Sequence, residues 1–240
     1  GIVDLFFSNG SHFKHPAGSH DASNAMYRAT TEFRYESVTQ KARLEFSGFG
    51  QGTAAADYDN DGFTDLFVSY FGRNRLWRNN GDGTFTDTTE ISGVEDERWA
   101  TSAAFADLDA DGALDLYVVN YVNWTPDARP CFLDSQEQRR KVCSPLDFNG
   151  QTDLLFRNNN DQTFTATTQS FGASDRIGGK GLAVAILDLN ADTKLDIFVA
   201  NDTMRNFLYI NDGDFSFQPG WIARQQHGNF LWRLRPEPFS

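Results

Sequence analysis

Short apolar runs alternate along the chain with clusters of Gly, Asn and Asp, and no stretch sustains the 3.6-residue period of an amphipathic helix. The runs are rich in β-branched and aromatic residues, which predicts strands. Four kinds of run recur in a fixed order. Strand A is small and apolar, as in Thr53–Ala56, Thr101–Phe105 and Leu182–Ile186. Strand B follows the pattern Asp-Leu-Phe-Val, starting at Asp65, Asp115 and Asp196, with Asp4-Leu-Phe-Phe7 as an N-terminal copy. Strand C is Asn24–Arg28, Asn74–Arg78, Asp153–Arg157 and Asn206–Ile210, and strand D opens on Tyr35, Phe85, Phe164 and Phe217. The C–D connection Asn79–Thr84 carries Asn-Gly and Asp-Gly pairs, which tolerate the positive φ of tight hairpins.

The strand C aromatics Tyr27, Trp77, Phe156 and Tyr209 are separated by 50, 79 and 53 residues, so the long second interval holds an insertion of about 29 residues. Four-stranded units repeated at this length predict an all-β fold, a β-propeller of about four blades. The blades fall at residues 1–48, 49–98, 99–177 and 178–217, followed by an atypical tail at 218–240 in which Gly228–Arg233 faintly echoes strand C. The first blade lacks its strand A, which is the pattern of a fragment. Unpaired strand edges in a partial array invite pairing with another chain, so self-association through open blade edges is expected.

The longest unbroken apolar run, Leu182–Leu187, is far too short for a membrane helix. The chain of 240 residues carries a net charge of −12, which disfavours a nucleic-acid surface. The acidity is local. Three aspartate-rich loops between strands A and B hold 11 of the 33 acids, and the remaining 22 nearly balance 21 bases.

These loops carry the candidate chemistry. In the first, Asp57, Asp59, Asp61 and Asp65 stand at positions one, three, five and nine; Phe63 can offer its carbonyl at position seven, and Gly62 permits a sharp turn at position six. The second repeats this with Asp107, Asp109, Asp111, Ala113 and Asp115, turning at Gly112. Hard oxygen donors at this spacing suit Ca²⁺, which takes about 6–8 oxygens. An EF-hand would need an acid at position twelve and flanking helices, whereas Val68 and Val118 stand there in strands. The third loop, Asp188, Asn190, Asp192, Lys194 (carbonyl) and Asp196, has one acid fewer, and Thr193 replaces the turning glycine. A β-branched residue is disfavoured at positive φ, so weaker binding or an altered loop is expected there. Two calcium sites and a weaker third follow, each ion pinning an A–B hairpin. Solvated Asp-rich turns are the plain alternative.

Phe49-Gly50, the small strand Thr53–Ala56 and the Asp57–Asp65 loop resemble an FG-GAP or VCBS-type repeat, as in integrin α-subunit propellers. Asn74–Phe85, the Cys131–Cys143 insertion followed by Pro145 and Phe148, and Gly178–Gly181 leading to Val199–Thr203 are similar to proteins like cartilage acidic protein, the ASPIC/UnbV-associated group. The resemblance spans about residues 1–217 and implies a β-propeller, bound Ca²⁺ and a secreted, periplasmic or cell-surface location. It implies a binding module more than a chemistry.

In an antiparallel meander the A–B and C–D connections share one end of each unit, and the B–C connections crowd the other. The B–C connections vary most, and function tends to sit on such loops. The first contains His12, His15, His20 and Asp21, candidates for a transition-metal site or simply solvated side chains. The third is the insertion, whose Cys131 and Cys143 permit a disulfide or remain as two thiols. Asn9, Tyr70, Asn120 and Asn201 stand five residues past the final Asp of each loop, with Asp202 beside the last. They either ring a channel mouth or cap strand ends locally. Lys180 lacks the spacing of a phosphate loop. The leading expectation is a calcium-stabilised module binding an extracellular protein or glycan, with Tyr121 and Trp124 as contacts. The alternative is a metal-dependent hydrolase of phosphoester or ester type, with its site on the loop face or in the central channel.

Overall fold

A computed structural model describes residues 3–10, 23–133, 139–167 and 178–220. The described residues form four larger antiparallel sheets in chain order and a separate two-stranded hairpin. The first has three strands, β1 (Leu5–Phe7), β2 (Ala25–Thr31) and β3 (Arg34–Ser37). The second is β4 (Phe49–Ala56), β5 (Asp65–Phe71), β6 (Arg75–Asn79) and β7 (Phe85–Asp87). The third joins β8 (Ala100–Ala106), β9 (Asp115–Asn120), β12 (Leu154–Asn158) and β13 (Phe164–Ala166), with the hairpin β10 (Cys131–Phe132) and β11 (Arg140–Lys141) in the insertion. The fourth is β14 (Gly181–Leu187), β15 (Asp196–Asn201), β16 (Phe207–Gly213) and β17 (Ser216–Gly220). The last strand carries the fourth sheet three residues past Phe217. None of the sheets closes on itself.

The register repeats with the sequence. Leu5 faces Tyr27, Leu66 faces Trp77, Leu116 faces Phe156 and Ile197 faces Tyr209. In β5 and β9 strand B can be apolar throughout because both of its faces are covered. Leu66 and Val68 pack back toward Phe6 and Met26 of the first sheet. Phe67 packs forward with Leu116, Val118 and Phe156, and Tyr117 packs forward with Ile197, Val199 and Tyr209. Three apolar layers therefore stack between four sheets. Truncating a buried member such as Leu116 to Ala removes about 2–5 kcal/mol. Among the described residues the outward face of the first sheet has no such layer, and Leu5 and Phe7 are 37% and 49% exposed.

The A strands β4, β8 and β14 lie side by side along one edge of this stack. A Cβ on Gly52 would stand 2.7 Å from the carbonyl oxygen of Thr101, so the β4–β8 approach requires glycine. The Thr101 hydroxyl donates to Gly181 O at 2.8 Å, linking β8 to β14. Cys131 and Cys143 are joined in a disulfide across the β10–β11 hairpin. Closing so short a segment is worth about 3 kcal/mol of loop entropy. Among the described residues no helix is long and apolar enough to cross a membrane.

Candidate functional site

The three acidic loops share one backbone. Asp57 accepts the N–H groups of Asp61 and Gly62 on its two carboxylate oxygens, at 3.0 and 2.8 Å. Asp107 does the same for Asp111 and Gly112, and Asp188 for Asp192 and Thr193. The position-six residue is left-handed in all three, with φ of 91° at Gly62, 90° at Gly112 and 75° at Thr193. The loop is not rearranged by its threonine; Thr193 takes up the disfavoured conformation.

The position-nine acids are buried and serve as hubs. Asp65 accepts from Tyr58 N at 3.1 Å and Asn79 N at 2.7 Å. Asp115 accepts from Leu108 and Asn158, and Asp196 from Leu189 and Asn211, each N–H at 2.9 Å. The asparagines are a component that reading the loops alone overlooks. Asn158 Nδ2 reaches back to Tyr58 O, and Asn211 Nδ2 to Leu108 O, both at 2.8 Å, tying each unit to the loop of the one before. Their signal in the sequence is an Asn one residue past strand C in three units.

Ligand atoms of Asp57, Asp59 and Asp61 lie within 4.8 Å of one another, as do those of Asp107, Asp109 and Asp115. The first group fits a hard cation well. Both carboxylate oxygens of Asp59 are buried and accept no well-formed hydrogen bond, a costly arrangement that a divalent ion would relieve. Burial, reinforced by the Asp61 carboxylate, pushes the Asp59 carboxyl up. Burial likewise raises Asp65 and Asp115 to about 7 against the opposing effect of their backbone donors. In the second group Asp109 is shared with a protein cation, since Arg157 Nη2 lies 2.5 Å from its Oδ2. The third loop brings no such trio together among the described residues. Asp192 instead accepts from Lys194 N, Asn190 Nδ2 and Lys194 Nζ, which hold its carboxyl low.

The opposite end of the stack holds a cavity of about 660 Å³ between the disulfide hairpin and the strand ends. Trp99, Tyr121 and Trp124 line it. Trp99 packs edge-to-face on Phe71, Tyr121 and Trp124, with centroids 5.2, 5.2 and 5.9 Å away. The Tyr121 hydroxyl donates to Asp202 Oδ2 at 2.6 Å, and burial with that carboxylate raises the phenol to about 12. The residues five places past each loop all make hydrogen bonds within the protein, Tyr70 reaching Asn24 just ahead of β2. Asn9 Nδ2 donates to Ser23 O, the Tyr70 hydroxyl to Asn24 Oδ1, Asn120 Nδ2 to Thr152 O and Asn201 Nδ2 to Arg205 O. None of the four lines the cavity. His12, His15, His20 and Asp21 lie outside the described residues, as do residues 221–240 of the tail.

No curated protein matches the chain. Among solved structures it is similar to one from work on a lectin of Agrocybe aegerita, described as recognising non-reducing terminal N-acetylglucosamine. The identity is 15% and the TM-score 0.42, over 89% of this chain and 51% of that one, a likeness too low to bear on fold or ligand. This chain thus spans about half the length of that structure. Residues 57–118, from the first aspartate loop through most of β9, match the FG-GAP-like repeat family.

Proposed function

We propose that the chain is a calcium-stabilised part of an extracellular β-propeller that binds a protein or glycan at the end away from its acidic loops. The observation that carries the metal half is Asp59. Its two buried oxygens lack hydrogen bonds beside the carboxylates of Asp57 and Asp61. Asp57 and Asp61 would complete the first site, and Asp107, Asp109 and Asp115 the second. A bound ion would supply charge neutralisation and hold each A–B hairpin, stabilising the folded form because only that form binds it. The disulfide and the FG-GAP-like repeat support the extracellular setting. The propeller reading is supported by the meandering sheets stacked in chain order with their A strands side by side.

The test is metal analysis of protein refolded in calcium and desalted, together with melting in calcium and in EDTA. Retention of calcium and a melting point lowered by EDTA are expected, with Asp59→Asn losing both at the first loop. Metal-free protein whose melting ignores EDTA would overturn the reading.

A further inference from the structure

We infer that the cavity beneath the disulfide hairpin binds an acidic saccharide, its ring against Trp99, Tyr121 and Trp124 and its carboxylate held by Arg140 and Lys141. This rests on the reading of the chain as a binding module and names its ligand class.

The charge distribution is the first argument. The chain carries −12 overall, yet every charged side chain lining this cavity among the described residues is basic. Asp147 accepts from Ser144 N, and Asp202 from the Tyr121 hydroxyl. Guanidinium and ammonium groups bind carboxylates through charge-assisted hydrogen bonds, and Arg can do so with two parallel bonds. A local cationic patch on an acidic protein therefore selects an anion.

The walls are the second argument. About 660 Å³ is the size of a small-ligand site. Its aromatic rings are fixed by mutual edge-to-face packing, so little side-chain freedom is lost on binding. The apolar C–H face of a sugar ring suits aromatic walls. The disulfide joins two residues that also line the cavity, which holds the hairpin wall in place.

Other anions fit less well. A phosphate site draws on converging backbone N–H groups or a helix N-terminus, and the nearby Lys180 Nζ donates to Pro145 O instead. An acidic peptide needs a groove or a sheet edge several residues long, whereas this cavity is a compact recess at strand ends.

The experiment is titration of the calcium-loaded, desalted chain with tetragalacturonate and with its full methyl ester, read by calorimetry and tryptophan fluorescence. Calcium content and melting are recorded on the same samples. The acid should bind, the ester about tenfold or more weakly, and Arg140→Ala/Lys141→Ala should weaken the acid by a similar factor, since charge-assisted bonds are lost. Trp124→Ala should weaken acid and ester alike. The double variant removes exposed side chains and should keep its calcium and its melting point. Equal affinity for acid and ester, or no binding by a chain that retains calcium and melts normally, overturns the inference. Binding of the acid by a chain that holds no calcium supports the pocket while removing the metal reading.

Discussion

In the loop ahead of β5, Asp57 clamps the N–H groups of Asp61 and Gly62; in the loop ahead of β15, Asp188 clamps those of Asp192 and Thr193 with the same two oxygens. The buried position-nine acids, Asp65 and Asp196, also accept equivalent pairs of donors. The loops diverge at positions three, five and seven. The first has Asp59 with both oxygens bare, and the other has Asn190 and an Asp192 already engaged by Lys194. Positions one and nine shape the backbone in every loop, whether or not they also offer a ligand atom, and positions three and five set how much further charge is left for a cation.

The most severe way to probe that division is Asp65→Ala. It leaves the N–H groups of Tyr58 and Asn79 without their acceptor in a buried setting, at a cost of about 1–3 kcal/mol for each donor. The loss should be similar in calcium and in EDTA. Asp59→Ala should cost stability in calcium only, because without the ion it removes a buried, unpaired carboxylate. Urea unfolding of both variants under both conditions checks this. Equal calcium dependence of the two losses would show that the roles are not separate.

Calcium removal itself comes next. One site at a hundredfold excess over its dissociation constant is worth about 2.7 kcal/mol. The EDTA-induced drop in melting temperature should shrink in Asp61→Asn and Asp111→Asn and stay near the parent value in Asp192→Asn. In the second loop Arg157 competes for Asp109, so Arg157→Gln should tighten calcium binding there, as read by calorimetry. Equal melting losses for the three Asp variants would contradict the ranking.

A pH series gives a smaller effect with a definite sign. Without metal, the Asp65 and Asp115 carboxyls titrate near 7 in the fold, against about 3.9 unfolded. The folded state then holds protons that the unfolded state has released, so stability falls as pH rises from about 4 to about 7. A neighbouring cation favours the ionised form and should flatten or reverse that slope. Urea midpoints at pH 5 and 7.5, in EDTA and in calcium, give the two slopes.

The strands were legible because strand B carries an apolar triplet after each loop, Leu-Phe-Val, Leu-Tyr-Val or Ile-Phe-Val, and in β5 and β9 both of its faces are covered. The acids were legible as a charge cluster, but their division of labour was not. Asp59 and Asp65 look alike in sequence, and only burial and the direction of Tyr58 N and Asn79 N distinguish them. The latch asparagines Asn158 and Asn211 read as turn residues, since their acceptors, Tyr58 O and Leu108 O, lie about 100 residues earlier in the chain. The cavity was least visible. Tyr121 and Trp124 stood out as loop aromatics, but Trp99, Arg140 and Lys141 meet them only once the insertion folds over the strand ends.

Thr193 offers the finest test of the comparison. Sequence rules disfavour a β-branched residue where the first two loops have glycine, yet Thr193 sits at φ 75° because the Asp188 carboxylate holds its N–H at 2.9 Å. Such backbone strain costs about 1–3 kcal/mol. Thr193→Gly removes it but adds freedom to the unfolded chain, offsetting about 0.4–1 kcal/mol. The net expectation is a gain of roughly 1 kcal/mol, equal in calcium and in EDTA, because the substitution leaves Asn190 and the Asp192–Lys194 contact unchanged. A gain confined to calcium would mean that the threonine, and not the missing acid, limits cation binding in this loop. The separation between building the loop and charging it would then not extend to position six.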